Sequence, residues 1–563
     1  MKSLHYLIVA GLFFLCFSLK AEERVYERVY VHTDKDCYIA GEDILMKFYV
    51  TNSHFQPSSL SKVGYVEICD TEKPRMQVKL ALDEGRGAGM IQIPADLPSG
   101  IYRLTGYTRY MRNEGEPAFF NRPVAIVNVA QQTPDIKRWT AVKNYDDLPP
   151  VKNESSGDNQ TIGLSIKTDR NDYGNRKKVL LALDHIPDNA ADLVISVYRD
   201  DSIVRMPEIN RQEWVKQVTD TFPFSGQWIP EYEGAIIAGR FNPEPKEPLL
   251  SNLAFVGNDI RYFQGQASDS TGTVRFYTSG IYGKQQIVTT ATSILYMNVP
   301  YRIDLLTPFC ESLPDSLPAL PVYPNEKRLI ERYIGVQIHE KTDSDSLSSP
   351  IQPSDDHNFK PVSSYDLDQY TRFSTLSETI LEFVDRVRVA KIGNKQRIRV
   401  FMGEELTFNQ GNTLVLLDGI PVYDHEAILN YNPMYIKRIN IYDQSYQFGG
   451  NHFESIVSFT THEGNLPFFQ LSDGAQMFNY DGPQLPPPFE SPDYSTAESL
   501  NSRKPDFRHT LYWNPSVPLT PGQPVDLSFY TSDLCGAFKI DVEGITTDGK
   551  MIHGASYFRV RAK

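Results

Sequence analysis

The chain has 563 residues, more than one hydrophobic core normally serves, so roughly three to five domains are expected. Aromatic residues make up 12% of it, Pro and Gly number 38 and 35, and Thr, Val and Ile recur in short alternating runs, which favours strands and turns over long helices. A formal charge of -14 with no offsetting Lys/Arg run repels phosphate backbones and argues against a nucleic-acid partner.

The opening "MKSLHYLIVAGLFFLCFSLKAEE" places Lys2 before an apolar run from Leu7 to Leu19 and a small Ala21, the pattern of a secretory signal over residues 1–21. The run is shorter than the ~20 residues a helix needs to cross a bilayer. Export with cleavage is therefore expected, leaving no transmembrane segment. Cys16 follows Phe13, Phe14 and Leu15 rather than the small residues of a lipoprotein signal. The remaining cysteines, Cys37, Cys69, Cys310 and Cys535, are too few and scattered for a disulfide scaffold, and nothing in the sequence decides whether Cys37 and Cys69 pair.

Residues 22–130 read as one β-sandwich. "RVYVHTDKDCYIAGEDILMKFYVTN" turns at Thr33-Asp34-Lys35 and again at Gly41-Glu42, and "KVGYVEICD", "RMQVKLAL", "GAGMIQI" and "SGIYRLTGYTRYMRN" are strand-length segments at sandwich spacing. These residues resemble the MG2-type domain of the α2-macroglobulin family, notably "VYVHTDKDCYIAGEDILMKFYV" and "LPSGIYRLTGYTRY". The resemblance implies the fold rather than the activity. Macroglobulin protease traps build a thioester on a cysteine followed by Gly-Glu-Gln, whereas the cysteines here precede Tyr38, Asp70, Glu311 and Gly536.

Residues 131–160, "VKNYDDLPPVKNESSGDNQT" among them, are polar and rich in turn formers, as a linker is. A second macroglobulin-like β-domain is expected over 161–225, because "IKTDRNDYGNRKKVLLAL" repeats the first sandwich's motif: Thr168-Asp169-Arg170 and Tyr173 fall at the spacing of Thr33-Asp34-Lys35 and Tyr38. In each copy the Asp can cap its turn while the Tyr packs across the sandwich, a structural role rather than a duplicated active site. Over 226–300, "EGAIIAGRF" and "SDSTGTVRFYTSGIYGKQQIVTTAT" resemble a carboxypeptidase-regulatory-like β-domain, with Asp269 to Gly272 as a turn. Residues 301–362 read as a helix and a linker: Leu329, Ile330, Tyr333 and Ile334 have helical period and face a neighbour, and "EKTDSDSLSSPIQPSDDHN" is flexible and acidic.

Residues 363–466 read as a small α+β domain. Ser374 or Thr375 caps a helix whose Leu376, Ile380 and Phe383 or Val384 point inward, "TLVLLDGIPV" is a buried strand ending in an Asp418-Gly419 turn, "HEAILNY" is helical, and "IKRINIY" and "ESIVSFTTHEG" are strands. The order and wording resemble the plug domain of TonB-dependent receptors, although the small-residue run before the plug's last strand is Phe453-Glu454-Ser455-Ile456 here. A receptor barrel of about 22 strands needs on the order of 200 residues before loops. The proline-rich "YDGPQLPPPFESPDYSTAESLNSRKPDFRH" lies instead in an expected linker, 467–507. Residues 508–563 return to macroglobulin-like strands, short enough to complete a sandwich begun earlier rather than stand alone. The expected fold is thus mainly β, several macroglobulin- or Ig-like β-sandwich domains plus a small α+β plug-like domain.

No catalytic, cofactor or metal constellation is expected. There is no G-x-S-x-G, H-E-x-x-H or Walker-type loop, and Asp200-Asp201 and Asp355-Asp356 read as solvated turns. His452 and His462 flank one strand, where a solvent-facing role outweighs metal binding. The expected function is a non-enzymatic cell-envelope protein of a Gram-negative bacterium, periplasmic or outer-membrane associated, docking onto an outer-membrane β-barrel protein or envelope complex. The alternative is a peptide- or glycan-binding protein using exposed Tyr107, Tyr110, Trp139, Trp228 and Trp513, although core and interdomain packing also explains these rings. An enzyme of unidentified type is a third, minor reading.

Overall fold

A computed structural model describes residues 25–130, 139–141, 161–201, 203–204, 206, 218–257, 263–292, 301–323, 325–343, 360–402, 407–408, 412–443, 445–448, 451–489, 491–548 and 550–562. The signal segment and Asp355-Asp356 lie outside the described residues. The chain is mainly β, with several sandwiches and one small α+β domain, as expected.

The first sandwich packs a three-stranded sheet (Arg28–Thr33, Asp43–Thr51, Arg86–Gln92) on a five-stranded one ordered Cys37–Ile39, Phe120–Val127, Gly100–Thr108, Val63–Cys69, Pro74–Ala81. Apolar side chains from both inner faces, Val31, Phe48, Tyr65 and Leu104 among them, form its core. Two glycines permit the close approach of the layers: a Cβ on Gly64 would sit 2.7 Å from the Phe48 ring, and one on Gly106 2.7 Å from Val31.

The remaining domains are nested. In the second sandwich, Ala190–Asp200 pairs with Gly536–Thr546, which pairs with Met551–Val560, while Lys178–Asp184 in the facing sheet lies between Ser165–Thr168 and Val525–Tyr530. The segments expected over 161–225 and 508–563 are therefore two parts of one domain. The third domain is inserted within it: Thr273–Tyr277, Ile236–Asn242 and Arg302–Leu305 form one sheet, and Phe263–Ala267, Leu250–Phe255, Lys284–Thr292 and Gln476–Asp481 the other. The expected linker 467–507 thus supplies an edge strand, because "QMFNYD" buries Tyr480 in that domain's core. The expected helix-and-linker segment likewise supplies Arg302–Leu305, and its Leu320–Val322 pairs in parallel with Trp139–Ala141 from the expected linker 131–160.

Innermost lies the α+β domain. A five-stranded sheet (Ser363–Asp366, Ile436–Tyr442, Ser455–Thr461, Thr413–Leu417, Ile420–Pro421) carries helices Leu376–Phe383 and His425–Leu429 and a second, smaller sheet. Thr375 and Glu378 form a reciprocal capping box, and Leu376, Ile380 and Val384 are buried. Its core continues into the third domain through Ala254, Val256, Phe263 and Val288. No helix among the described residues is long and apolar enough to cross a membrane.

Candidate functional site

The repeated Thr-Asp-x-x-x-Tyr motif builds one hydrogen-bond network twice. Tyr38 Oη donates to Asp34 Oδ1 at 2.7 Å, and Leu45 N donates to the same oxygen at 3.1 Å. In the second copy Tyr173 Oη and Leu180 N donate to Asp169 Oδ1 at 2.7 and 2.9 Å. Thr33 and Thr168 each close their turn on the carbonyl of the residue two ahead, Lys35 and Arg170. The two copies differ in exposure. Asp34 is buried where the sandwiches meet, and its second carboxylate oxygen accepts from Thr510 Oγ1 at 2.8 Å and Lys35 Nζ at 3.2 Å. Asp169 sits at a solvent-facing turn, so Asp169→Ala should cost about 1–2 kcal/mol, the scale of two hydrogen bonds lost at a partly wet site, read as a fall in the urea midpoint.

A buried ionic junction joins the first sandwich, the second sandwich and helix Glu326–Asp343. Arg332 donates from Nε and a terminal nitrogen to Glu42 at 3.0 and 2.5 Å and to the Cys37 carbonyl at 3.0 Å, with its other terminal nitrogen 3.3 Å from Asp201. Asp201 also meets His509 Nε2 at 2.7 Å, and Arg199 bonds Glu331 at 2.8 Å. Burial alone would raise both carboxyls, yet Arg332 and Lys35 bring Glu42 down to about 2, and His509, Arg332 and Arg199 hold Asp201 well below the usual range. Burial and the Arg332 charge lower His509. Asp201 is therefore not the solvated turn residue expected, because an arginine from a distant helix reaches it. That helix also departs from expectation: Ile330 and Ile334 are exposed, whereas Arg332 and Val336 are buried.

The sandwich interface continues as paired polar groups. His32 Nδ1 lies 2.8 Å from Glu543, Tyr30 Oη donates to the same carboxylate at 2.9 Å, and Lys47 Nζ is 2.6 Å from Asp192. Burial opposes protonation of His32, but Glu543 outweighs it and raises the imidazole. Trp513 stacks parallel to His32 at 5.8 Å and is buried.

Of the rings expected as exposed contacts, Tyr107 and Trp513 are buried, whereas Tyr110 and Trp228 are half-buried. Trp513 is interdomain core, and Tyr107 is fully buried, donating to Glu67 at 2.6 Å and stacking on Phe119. Tyr110 packs edge-on against Phe224, and Trp228 lies 3.7 Å beneath the Arg112 guanidinium. Trp139 lies in a described strand, but its side chain falls outside the described residues. Tyr110 and Arg112 of the first sandwich thus find partners in Phe224 and Trp228, which precede the third domain in sequence. The four described thiols remain free, with burial raising Cys37 and Cys69 to about 12.

Asp418 and Gly419 form the tight turn between Thr413–Leu417 and Ile420–Pro421, with φ of 46° and 81°. Asp418 is more than a turn residue. Its fully buried carboxylate accepts from Thr461 N and Oγ1, both at 2.7 Å, and from Leu466 N at 2.8 Å, clamping the last strand and the chain beyond it. Burial raises its pKa against those three bonds.

Leu466 leads into the most exposed large hydrophobic side chain among the described residues, Phe468, at 84% exposure. Its ring lies 5.3 Å from Tyr435, beside Met434 at 57%. Arg372 donates to the Pro433 and Ile436 carbonyls at 2.7 and 2.6 Å, tying this group to Tyr370, whose ring stacks on Phe383 at 4.4 Å near Leu381, 66% exposed. The α+β domain thus carries a set of exposed apolar side chains, in which Phe468 contacts Tyr435 and Tyr370 contacts Phe383. Sequence reasoning missed it, although "NPMY", "LPFF" and "TRF" hold isolated large apolar residues in turn contexts, where no core periodicity accounts for them.

Among the described residues no group of three or more His, Cys, Asp and Glu is arranged to hold a metal ion. His462 is exposed at the strand end, 3.6 Å from Asp368, and His452 is exposed in a hairpin.

No family model and no curated protein matches the chain. Among solved structures it is similar to Salmonella α2-macroglobulin reacted with methylamine, at 8% identity and a TM-score of 0.25 over 96% of this chain. It is similar to E. coli α2-macroglobulin in its native conformation at 9% identity and a TM-score of 0.24 over 95% of this chain. Trypsin-activated E. coli α2-macroglobulin gives 8% and 0.23, also over 95%. The chain spans 40% of the length of the first two macroglobulin chains and 41% of the third.

Proposed function

We propose that this protein is a non-enzymatic component of the Gram-negative cell envelope, an accessory or docking subunit that meets an outer-membrane β-barrel protein through its plug-like α+β domain. The carrying observation is the set of exposed apolar side chains Phe468, Met434, Tyr370 and Leu381 on that domain. Isolated apolar side chains are ordinary on a protein surface, but four large ones exposed on one small domain, two of them packed on the half-buried rings of Tyr435 and Phe383, support a place where another surface fits. The sandwiches serve as the frame. Their polar, closely paired interface joins the two sandwiches and helix Glu326–Asp343, and the α+β domain is inserted within the third domain and shares core with it. The β-strand order and plug-like wording of residues 363–466 favour a barrel protein over other partners.

The reading is tested by affinity purification from crosslinked membranes. The full-length protein should bring down a barrel protein, and Phe468→Asp or Leu381→Asp should weaken that capture about 30-fold, the scale of one interface anchor at ~2 kcal/mol, with thermal midpoints unchanged. Purification as a monomer whose melting temperature responds only to small ligands would replace docking with the peptide- or glycan-binding alternative.

A further inference from the structure

Two sheet edges face each other between the first sandwich and the third domain. Pro74–Ala81 is the outer strand of its five-stranded sheet, and Gln476–Asp481 the outer strand of its four-stranded sheet. They are stitched at one point, where Gln484 N donates to the Lys79 carbonyl and Ala81 N to the Gln484 carbonyl, each at 2.8 Å. Beside that stitch lies a cleft of about 570 Å³, within the range of small-molecule sites, with Val78, Lys79, Ile236, Leu306, Phe309 and Tyr480 in its walls.

Lys79 is the anomaly of this cleft. The residue is only 6% exposed, yet among the described residues no carboxylate lies within 4.0 Å of its Nζ and no acceptor takes a hydrogen bond from it. Its ammonium rests 4.1 Å above the Tyr480 ring. Every other lysine buried in the described chain, Lys35 and Lys47, has a carboxylate at ion-pair distance. A cation–π contact recovers only part of the cost of partly desolvating an ammonium, so the cleft holds a charge with no ion-pair partner within 4.0 Å among the described residues.

The neighbouring carboxyls do not supply one. Glu231 is buried and already engaged, its two oxygens accepting from Tyr65 Oη at 2.9 and 3.0 Å and one of them from Ile236 N at 2.7 Å. Burial raises it to about 7, far above the ordinary carboxylate value, which weakens it as a counter-charge. Asp481 lies at the cleft's rim, exposed and beyond ion-pair distance of Lys79, opposite Lys284 on the adjacent strand. Burial lowers Lys79 to about 8 against the pull of Glu231 and Asp481, which leaves it mostly protonated at pH 7. Of the other polar walls, Gln77, Asn479 and Gln484 offer amides and Thr307 a hydroxyl, and most of the remainder is apolar.

We propose that this cleft binds a ligand presenting a carboxylate to Lys79 and laying an apolar body against Val78, Leu306 and Phe309. The shared chemistry has two sources, the free C-terminus of an apolar peptide and a medium-chain fatty carboxylate. The inference is independent of docking through the α+β domain, since the cleft lies on different domains.

Calorimetric titration of the full-length protein with three probes tests it: a Leu/Val pentapeptide with a free C-terminus, the same peptide amidated, and decanoate. One carboxylate probe should saturate a single site, and which one does so identifies the source. Its affinity should fall at least about tenfold on amidation, or on replacing decanoate by decanol, and by a similar factor in Lys79→Met. That variant should still fold cooperatively, because the ammonium it removes makes no ion pair or hydrogen bond among the described residues and its stem is replaced by one of similar length, and its thermal midpoint is measured alongside. As a readout independent of the variant, the Lys79 Cε resonance should report a raised pKa on binding. Absence of binding by both carboxylate probes, equal binding of the amide, or undiminished binding to Lys79→Met overturns the proposal.

Discussion

Arg332→Met should destabilise the folded chain by about 3–5 kcal/mol, read as a lowered urea midpoint for the transition that separates the first sandwich from the second. The side chain is buried and spans three elements, so its loss leaves Glu42 and Asp201 without the charge that made their burial tolerable. Arg332→Lys should recover only part of the loss, because one ammonium does not reproduce a guanidinium that bonds Glu42 twice and the Cys37 carbonyl once. The effect has a defined pH dependence. Glu42 is held at about 2 in the folded chain against an ordinary 4.5, so its contribution is complete above about pH 4.5 and disappears as pH falls through 2. Wild type and Arg332→Met should accordingly converge in stability on acidification. Adding Glu42→Gln and Asp201→Asn to the methionine variant should restore stability at neutral pH, since the penalty is the orphaned charge rather than the missing pair.

Glu231→Gln should change the pH profile in the opposite direction. Burial lifts this carboxyl to about 7, against an ordinary 4.5, in the face of the Ile236 N–H bond and the Arg109 charge. A raised acid favours the folded state where it is protonated, so the contribution is complete below about pH 4.5 and is lost as pH rises through 7. Between pH 5 and 8 wild type should therefore lose about 2–3 kcal/mol relative to the glutamine variant, which has no proton to give up. Lys79, depressed to about 8, acts with the opposite sign at higher pH, but it is present in both proteins and its effect largely cancels in the difference. Parallel urea titrations of the two proteins at pH 5, 6, 7 and 8 measure this gap, and a gap that does not change with pH would place the Glu231 carboxyl in its ionised form throughout.

Local chemistry was the legible part of the sequence. Asp34 and Tyr38, like Asp169 and Tyr173, lie four residues apart, and the contacts that give them meaning close within a dozen residues, so spacing alone exposes the motif. The capping box at Thr375 and the turn at Asp418-Gly419 were readable for the same reason. Asp201 was not. Its partner His509 is 308 positions away, and a carboxylate at a strand end looks solvated until that partner is known. In helix Glu326–Asp343 the periodicity pointed to Ile330 and Ile334, but the seat the helix occupies is ionic and selects Arg332. The strand Gln476–Asp481 was hidden by prolines on its far side, and the use of Trp513 and Tyr107 as interdomain and core residues depends on surfaces that no single window of sequence displays.

Nesting also governs the order in which the molecule can be completed. Asn175 bonds the Ser532 carbonyl across 357 positions, so the second sandwich stays unfinished on the ribosome until everything threaded through it has emerged. Closing so long a loop costs little extra at equilibrium but delays the pairing of strands already exposed, notably Ala190–Asp200 with its run of apolar residues. Through synthesis that half-built sheet offers open edges to any other strand, which makes it the part of the chain with most to gain from a holdase and the first to aggregate when translation stops early.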